Sequence, residues 1–426
     1  MDREIDIAII GAGPSGSYAA WKLASNGFQP IVIEEHSTPG YPEHCTGHIP
    51  TSLLENLFPK PPPSLIQNKF KGMILHLPNN IDLKISFRNL STCLIDRALF
   101  DVWLAREAIK KGAIYHFSSR VRQVLFEDKI VKLKVRNEKY NKNDILRTKI
   151  LIDGEGSPPR LLEKMGFSET TNLIFINAVQ RWFTDIKGIE REFIEVYLAN
   201  TYAYPFYAWI APFGKDSAKV GLATAGDPIQ KLREFIRNDA RISHRFKDAY
   251  SSKLVGHKMP LGPPIFKNRH GVIPVGDAAA HVKPITGGGI AFSLLFASLS
   301  ADSVINSQDR IEDLGRKYSE MAKRYIPYLK LTNSIRNLLY SIEEHKLTSI
   351  IKHSWDVNLL PELIEIAYPE ACLNHKIFKH LNGSSLRWLL HTISSLAYST
   401  PKPLLELLYS TMACIVHPLS PFKLHP

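Results

Sequence analysis

The sequence predicts a mixed α/β protein, α+β overall, and three observations carry that expectation. A buried strand near the N-terminus runs straight into a glycine-rich turn and a helix. A second strand–turn–helix unit rich in glycine begins near residue 271. Between them lie short runs that alternate polar and apolar residues, the period of half-buried strands.

Residues 5–10 (Ile-Asp-Ile-Ala-Ile-Ile) read as a buried strand, and Gly11-Ala12-Gly13-Pro14-Ser15-Gly16 follows at once. The spacing predicts a helix over residues 15–25, with Ala19, Ala20, Leu23 and Ala24 on its packed side. Asn26-Gly27 ends it and residues 30–33 form the second strand. Gly11 suits the tight turn, Gly13 a close approach of a pyrophosphate, and Gly16 tight packing of helix on strand. The helix N-terminus, at Pro14 and Ser15, offers free N–H groups and a positive dipole end to that anion. Glu34, 18 residues after Gly16, stands where a carboxylate accepts hydrogen bonds from a ribose. This is a Rossmann-like dinucleotide fingerprint, and alone it does not separate FAD from NAD.

The downstream unit separates them. Residues 271–275 read as another buried strand, followed by Gly276-Asp277-Ala278-Ala279. Asp277 at a strand end can accept hydrogen bonds from ribitol hydroxyls, which NAD lacks. Gly287-Gly288-Gly289-Ile290 then opens a long helix, letting backbone press against a flat ring system. Its N-terminus would also stabilise negative charge on reduced flavin. The expected cofactor is FAD. Residues 94–101 start a further helix ending near Gly112, from which Arg97 could reach a phosphate or the flavin edge, or simply face solvent. Residues 150–157 form a strand and tight turn, with Arg160 just beyond.

The spaced set GAGPSG, LIDRALFD, LIDGEGSPPR and GDAAAHVKPITGGGI resembles the FAD-dependent group that includes para-hydroxybenzoate hydroxylase, and within it the geranylgeranyl reductase family. The resemblance covers roughly residues 1–310. It implies a cofactor set of Gly11, Gly13, Pro14, Ser15, Gly16, Glu34, Cys45, Thr46, Gly47, Arg97, Val121, Asp277, Gly288, Gly289 and Ile290. It also implies that a YxWxFP motif lines an isoprenoid channel beside the flavin. Tyr207, Trp209 and Pro212 match it, whereas Ala211 replaces Phe. Independently, aromatics at 207 and 209 share one face of a strand, which suits a pocket wall or a core. The Pro/Gly-rich loop 39–47 carries Cys45, which the resemblance places at the isoalloxazine ring. There it could relay a proton or only shape the cavity. Its Cys-Thr-Gly-His sequence matches the usual Cys-Gly-Glu-Gly in part. His44, Cys45 and His48 suggest a metal only weakly, since no fourth ligand is near, and no metal is expected.

The flavin motifs are interrupted by segments of another character, so a discontinuous FAD-binding domain is expected over 1–68, 88–172 and 262–310. An antiparallel-sheet substrate domain takes 69–87, a hairpin turning at Pro78-Asn79-Asn80, and 173–261; a helical region takes 311–426. In that last region Leu386, Leu389, Leu390, Ile393, Leu396 and Ala397 share a helix face. Residues 371–426 hold five Lys/Arg and one acid, Glu406, so such helices could lie on an anionic membrane or pack on the protein's own core. Four scattered cysteines fit a reducing compartment. No signal peptide or uncharged apolar span of membrane length is evident, so the expected location is cytoplasmic, with peripheral attachment to the cytoplasmic membrane open. The net charge of +12 suits an anionic partner, but no basic–aromatic repeat favours nucleic acid.

The resemblance implies hydride transfer from reduced FAD to double bonds of a geranylgeranyl chain, on an isoprenoid lipid or a prenyl diphosphate. The favoured substrate is an archaeal-type membrane glycerophospholipid. NAD(P)H or reduced ferredoxin would supply electrons. Two alternatives stay open: a flavin monooxygenase or halogenase acting on an aromatic substrate, and a non-catalytic prenyl-binding protein without flavin.

Overall fold

The computed structural model describes residues 2–252, 254–307, 311–366 and 368. The expected amphipathic tail helices, within residues 371–426, lie outside the described residues.

Asp2–Ile10 lies at the centre of a seven-stranded sheet, flanked by Ile31–Ile33 and Lys142–Asp153. Ile114–His116 extends the sheet beyond Ile31–Ile33, and Val272–Pro274 pairs with the end of Lys142–Asp153. These five strands are parallel. Parallel strands covered on both faces read as continuous apolar runs rather than alternations, which is why residues 7–10 are all buried. Ser119–Glu127 and Ile130–Asn137 add an antiparallel meander that no motif announced.

The helix Pro14–Ser25 is wedged between Asp2–Ile10 and two others, Arg97–Lys110 and Ile290–Ser307. Its Ser15 to Ala24 are all buried, so packing holds it rather than an amphipathic stripe. Among the described residues, Ile290–Ser307 is the one helix long and apolar enough to cross a membrane, and a single charge, Asp302, interrupts it. It is 78% buried inside the protein, with Phe292 and Phe296 in the core, so the structure uses it as a core helix.

The second sheet has eight strands. Its path runs Tyr250–Ser251, Phe175–Thr184, Ala218–Thr224, Ala208–Pro212, Phe193–Tyr197, Gly72–Leu77, Ile81–Ser86, with Val255–Pro260 beside Phe175–Thr184. Every pairing is antiparallel except Phe193–Tyr197 with Gly72–Leu77, where two separate stretches of chain meet. Alternation gives the sheet two faces. Val179, Ala208, Ile210, Val220 and Leu222 pack with Leu232 and Phe235 of the helix Pro228–Asn238. The alternate residues, among them Gln180, Trp209 and Lys219, turn toward the first sheet's loops. A small third sheet, His48–Pro50, Thr92–Ile95 and Ile66–Phe70, lies between. Helices Ile311–Lys323, Ile326–Ser341, Glu344–Asp356 and Leu360–Ile366 follow.

Gly16 decides how closely helix and strand approach, because a Cβ there would sit 1.9 Å from the Gly11 carbonyl oxygen. Gly16→Ala is expected to destabilise the protein by about 2–3 kcal/mol in denaturant unfolding and to deplete bound flavin. In the second sheet, Glu195 is buried and held by both Arg245 Nη atoms at 2.7 Å and by the Tyr197 hydroxyl at 2.6 Å. Burial alone would raise its pKa, but Arg245, His76 and Tyr197 outweigh it and pull the group down to about 2. A folded pKa below the unfolded value stabilises above about pH 4.5, an advantage lost as pH falls toward 2. Unfolding free energy is expected to drop by about 3 kcal/mol over that window from this residue, and Glu195→Gln to flatten the profile.

Candidate functional site

The first half of the site is a backbone cradle. Gly11 has φ +85°, and a Cβ on it would lie 2.4 Å from the Gly154 carbonyl oxygen. A Cβ on Gly13 would meet nothing within 4 Å. Gly13 is the N-cap of Pro14–Ser25 and provides no side-chain cap, so the first N–H groups of the helix have no side-chain acceptor there. Two closed glycines around one open one, at a bare helix N-terminus, fit a pyrophosphate. Ser15 packs across to Gly276 of the second motif: a Cβ there would lie 2.6 Å from its hydroxyl.

Glu34 is buried at the end of the second strand. Its Oε2 accepts from the Ala12 N–H at 2.7 Å, and its Oε1 from the His36 N–H at 2.8 Å, with His36 Nδ1 also at 2.8 Å. Burial raises its pKa, but the His36 ring and the two N–H groups prevail, and Glu34 stays ionised below the usual range. Oε2, with one donor, keeps a lone pair for a ribose hydroxyl, whereas Oε1 is taken by the two His36 groups. The Ser119 N–H donates to the Glu34 carbonyl, bringing the strand of Val121 alongside; Val121 itself is buried and opposite Val135.

The second half gathers residues from four distant segments. Half-buried Cys45 lies against Arg97, whose side chain is 14% exposed and clasped by Asp101 through Nε at 3.2 Å and Nη2 at 2.9 Å. The Arg97 charge is therefore already matched inside its own helix. Asp277 Oδ2 lies 2.9 Å from His257 Nε2, and the His257 ring stacks on His44 at 5.2 Å. Burial first, then the His257 and Arg97 charges, push His44 down to about 4, so it is neutral at pH 7. Desolvation works against the Asp277 carboxylate, but His257 and Arg97 hold it ionised. His48 belongs to the small sheet and bonds Thr92 at 2.8 Å. Gly289 keeps room for Asp277, since a Cβ there would come 3.1 Å from Oδ1. A Cβ on Gly288 would strike Lys283 Cε at 2.8 Å. Ile290 begins the following helix.

Tyr207 donates its hydroxyl to the Thr286 carbonyl at 2.6 Å and meets Trp209 edge-on at 6.0 Å. The structure thus brings Tyr207, Trp209, Cys45 and the glycine run to one place. Pro212 falls on the opposite parity of the strand from Trp209, and its carbonyl accepts from Asn68.

Three residues of the site were missed in the sequence: His257, Gln180 and Lys219. Gln180 Oε1 accepts from Thr46 Oγ1 at 2.9 Å and Trp209 Nε1 at 3.2 Å. Indole N–H can only donate, so the amide orientation is assigned. Lys219, fully buried, binds Glu43 at 2.7 Å and donates to the Thr46 carbonyl at 3.0 Å. These two side chains latch the loop carrying Cys45 onto the second sheet from either side of Cys45. A charged residue inside the apolar run 218–223 and an amide inside 175–184 were the available signals.

A profile of the NAD(P)-binding Rossmann-like domain matches residues 9–47. The digeranylgeranylglycerophospholipid reductase of Methanocaldococcus jannaschii is 28% identical over 81% of this chain and 89% of its own. The protein named digeranylgeranylglycerophospholipid reductase 3 from Methanosphaera stadtmanae is 28% identical over 84% of this chain and 92% of its own. The relatives are archaeal lipid reductases by name. These matches bear out the resemblance drawn from the motifs. A geranylgeranyl bacteriochlorophyll reductase-like protein from Thermoplasma acidophilum superposes with a TM-score of 0.76 at 21% identity, covering 96% of this chain and all of the other. The fold is therefore that of a geranylgeranyl reductase-like protein: a Rossmann-like domain joined to a second sheet and C-terminal helices.

Breaking the Lys219–Glu43 pair leaves a carboxylate in a nearly closed site. Lys219→Met is expected to lower unfolding free energy by about 3 kcal/mol and to raise hydrogen exchange across residues 39–47 before the sheet itself opens.

Proposed function

We propose that this chain is an FAD-dependent reductase that saturates carbon–carbon double bonds of geranylgeranyl chains on archaeal-type membrane glycerophospholipids. The observation that carries the reading is the junction of Tyr207 and Trp209 with the Cys45 loop and the Asp277–Gly289 turn, in a chain similar over four fifths of its length to the archaeal lipid reductases. When bound and reduced, FAD supplies a hydride, and a proton completes each added pair of hydrogens.

The protein's own residues divide the remaining work. Gly11, Gly13 and the N-terminus of Pro14–Ser25 take the pyrophosphate, Glu34 the adenosine ribose, and Asp277 the ribitol. The strand of Val121 runs beside the Glu34 end of that cradle. Tyr207 and Trp209 wall the cavity and exclude water from the prenyl chain, so that alignment rather than electrophilic activation drives the addition. Cys45, with Arg97 against it, holds a proton at Sγ beside the cavity. Thr46 and Gly47 set the loop: the Gly47 carbonyl accepts from the Ile95 N–H at 2.9 Å. Reduced ferredoxin or NAD(P)H restores the cofactor, and the basic chain meets its lipid at an anionic cytoplasmic membrane surface.

The test is anaerobic. Purified protein is reduced, given digeranylgeranylglyceryl phosphate, and the lipid analysed by mass spectrometry. The expected result is gain of one H2 per double bond with reoxidation of the flavin. Flavin that stays reduced in the presence of lipid, or oxygen-dependent NAD(P)H consumption triggered by an aromatic compound, would overturn the reading. Cys45→Ser is expected to slow turnover about 10- to 100-fold while leaving the visible flavin spectrum intact.

A further inference from the structure

The loop 39–47 grips the second sheet through three of four consecutive residues. Glu43 meets Lys219 at 2.7 Å, and Thr46 Oγ1 donates to Gln180 Oε1 at 2.9 Å. Between them the His44 ring lies flat on the His257 ring, with centroids 5.2 Å apart and planes within 1° of parallel. Cys45 is thus flanked by side chains seated on strands. His257 also reaches beyond the loop, because its Nε2 lies 2.9 Å from Asp277 Oδ2. It therefore touches both the loop of Cys45 and the carboxylate assigned to the ribitol.

That second contact sets how Asp277 presents itself. Desolvation opposes its charge, but His257 and Arg97 keep it ionised. An ionised carboxylate only accepts, so His257 Nε2 is the donor and Oδ2 is engaged. Oδ1 accepts from no group among the described residues, and Gly289 leaves it room, since a Cβ there would come 3.1 Å from it. One oxygen is tied to the second sheet, and the other stands at the glycine turn. His257 is itself placed by the ladder, opposite Ala178 and two residues from Gln180 on the same face. A ligand on Oδ1 would restrain Asp277, hence the plane of the His257 ring, hence the platform under His44. A carboxylate preorganised in this way binds with less loss of freedom than one left to rotate.

We propose that His257 is a positioning residue with two contacts: its Nε2 fixes Asp277 for the FAD ribitol, and its ring seats His44, so that binding FAD and closing the Cys45 loop onto the sheet stabilise each other. Such coupling is reciprocal by linkage. The inference rests on FAD binding and is independent of which substrate the flavin reduces.

Two measurements on the full-length protein test it without any lipid. The first follows FAD release from the holoprotein on dilution, by the rise in flavin fluorescence. In His257→Leu the Kd for FAD is expected to rise about 10- to 100-fold. His257→Gln, whose amide donates to the same oxygen, is expected to restore most of that affinity. Adding His257→Leu to Asp277→Asn is expected to cost no more than about 2-fold further, because His257 acts through Asp277. The second measurement is hydrogen exchange over residues 39–47. FAD is expected to slow it about 10-fold in the wild-type protein. In His44→Leu and His257→Gln, which lack the ring pair, saturating FAD is expected to slow it much less.

An unchanged Kd in His257→Leu, full additivity with Asp277→Asn, or equal loop protection in wild type and His44→Leu overturns the proposal. If His257→Leu does not fold, exchange in His257→Gln and His44→Leu decides it by the same criterion. Coupling of FAD to the loop in a protein that reduces no prenyl lipid would refute the substrate reading and leave this one standing.

Discussion

The contact between Gly16 and the Gly11 carbonyl governs the rest of the molecule. With no side chain at position 16, the helix Pro14–Ser25 can press onto the strand that precedes it, and Gly11 can turn with φ +85° under the Gly154 carbonyl. That closeness brings the helix N-terminus to the end of the parallel sheet, where the two flavin motifs meet through Ser15 and Gly276. It also packs the apolar helix Ile290–Ser307 into the core, so that its N-terminal glycines face the same crevice. A crevice at the carboxyl ends of parallel strands is where such sheets bind ligands, because loops and helix N-termini converge there.

The second sheet completes the site with buried polar groups rather than with backbone. Gln180 and Lys219 reach across to the loop 39–47, and His257 reaches across to Asp277. Each lies in a strand paired within that sheet, so its position is set by the ladder and not by the segment it meets. The loop with Cys45 is thereby given the precision of the sheet. Where a cation is buried, a carboxylate accompanies it at Lys22, Lys219 and Arg245, as the expense of desolvating a charge demands. Arg97 follows the same rule through Asp101 and lies against Cys45.

The sequence by itself determined the local geometry of the strand–turn–helix at residues 5–25. Strand, glycine turn, helix and terminal acid are consecutive, so their relative placement follows from local geometry, and the run from Gly11 to Glu34 was legible residue by residue. The same holds for Asp277 and Gly287 to Ile290. Tyr207 and Trp209 were found through the period of a strand, and their relation to Cys45 through resemblance. Tertiary structure alone decided what joins these pieces. Gln180, Lys219 and His257 lie on three strands, and only register across the second sheet puts them on the face that meets the loop. Pro212 shows the converse, since one residue of parity turns it away from Trp209. Ile290–Ser307 shows the same limit, because its composition suits either a membrane or a core, and the neighbours that bury it come from other parts of the chain. Contacts between residues distant in sequence depend on sheet register and helix packing, which one-dimensional spacing does not encode.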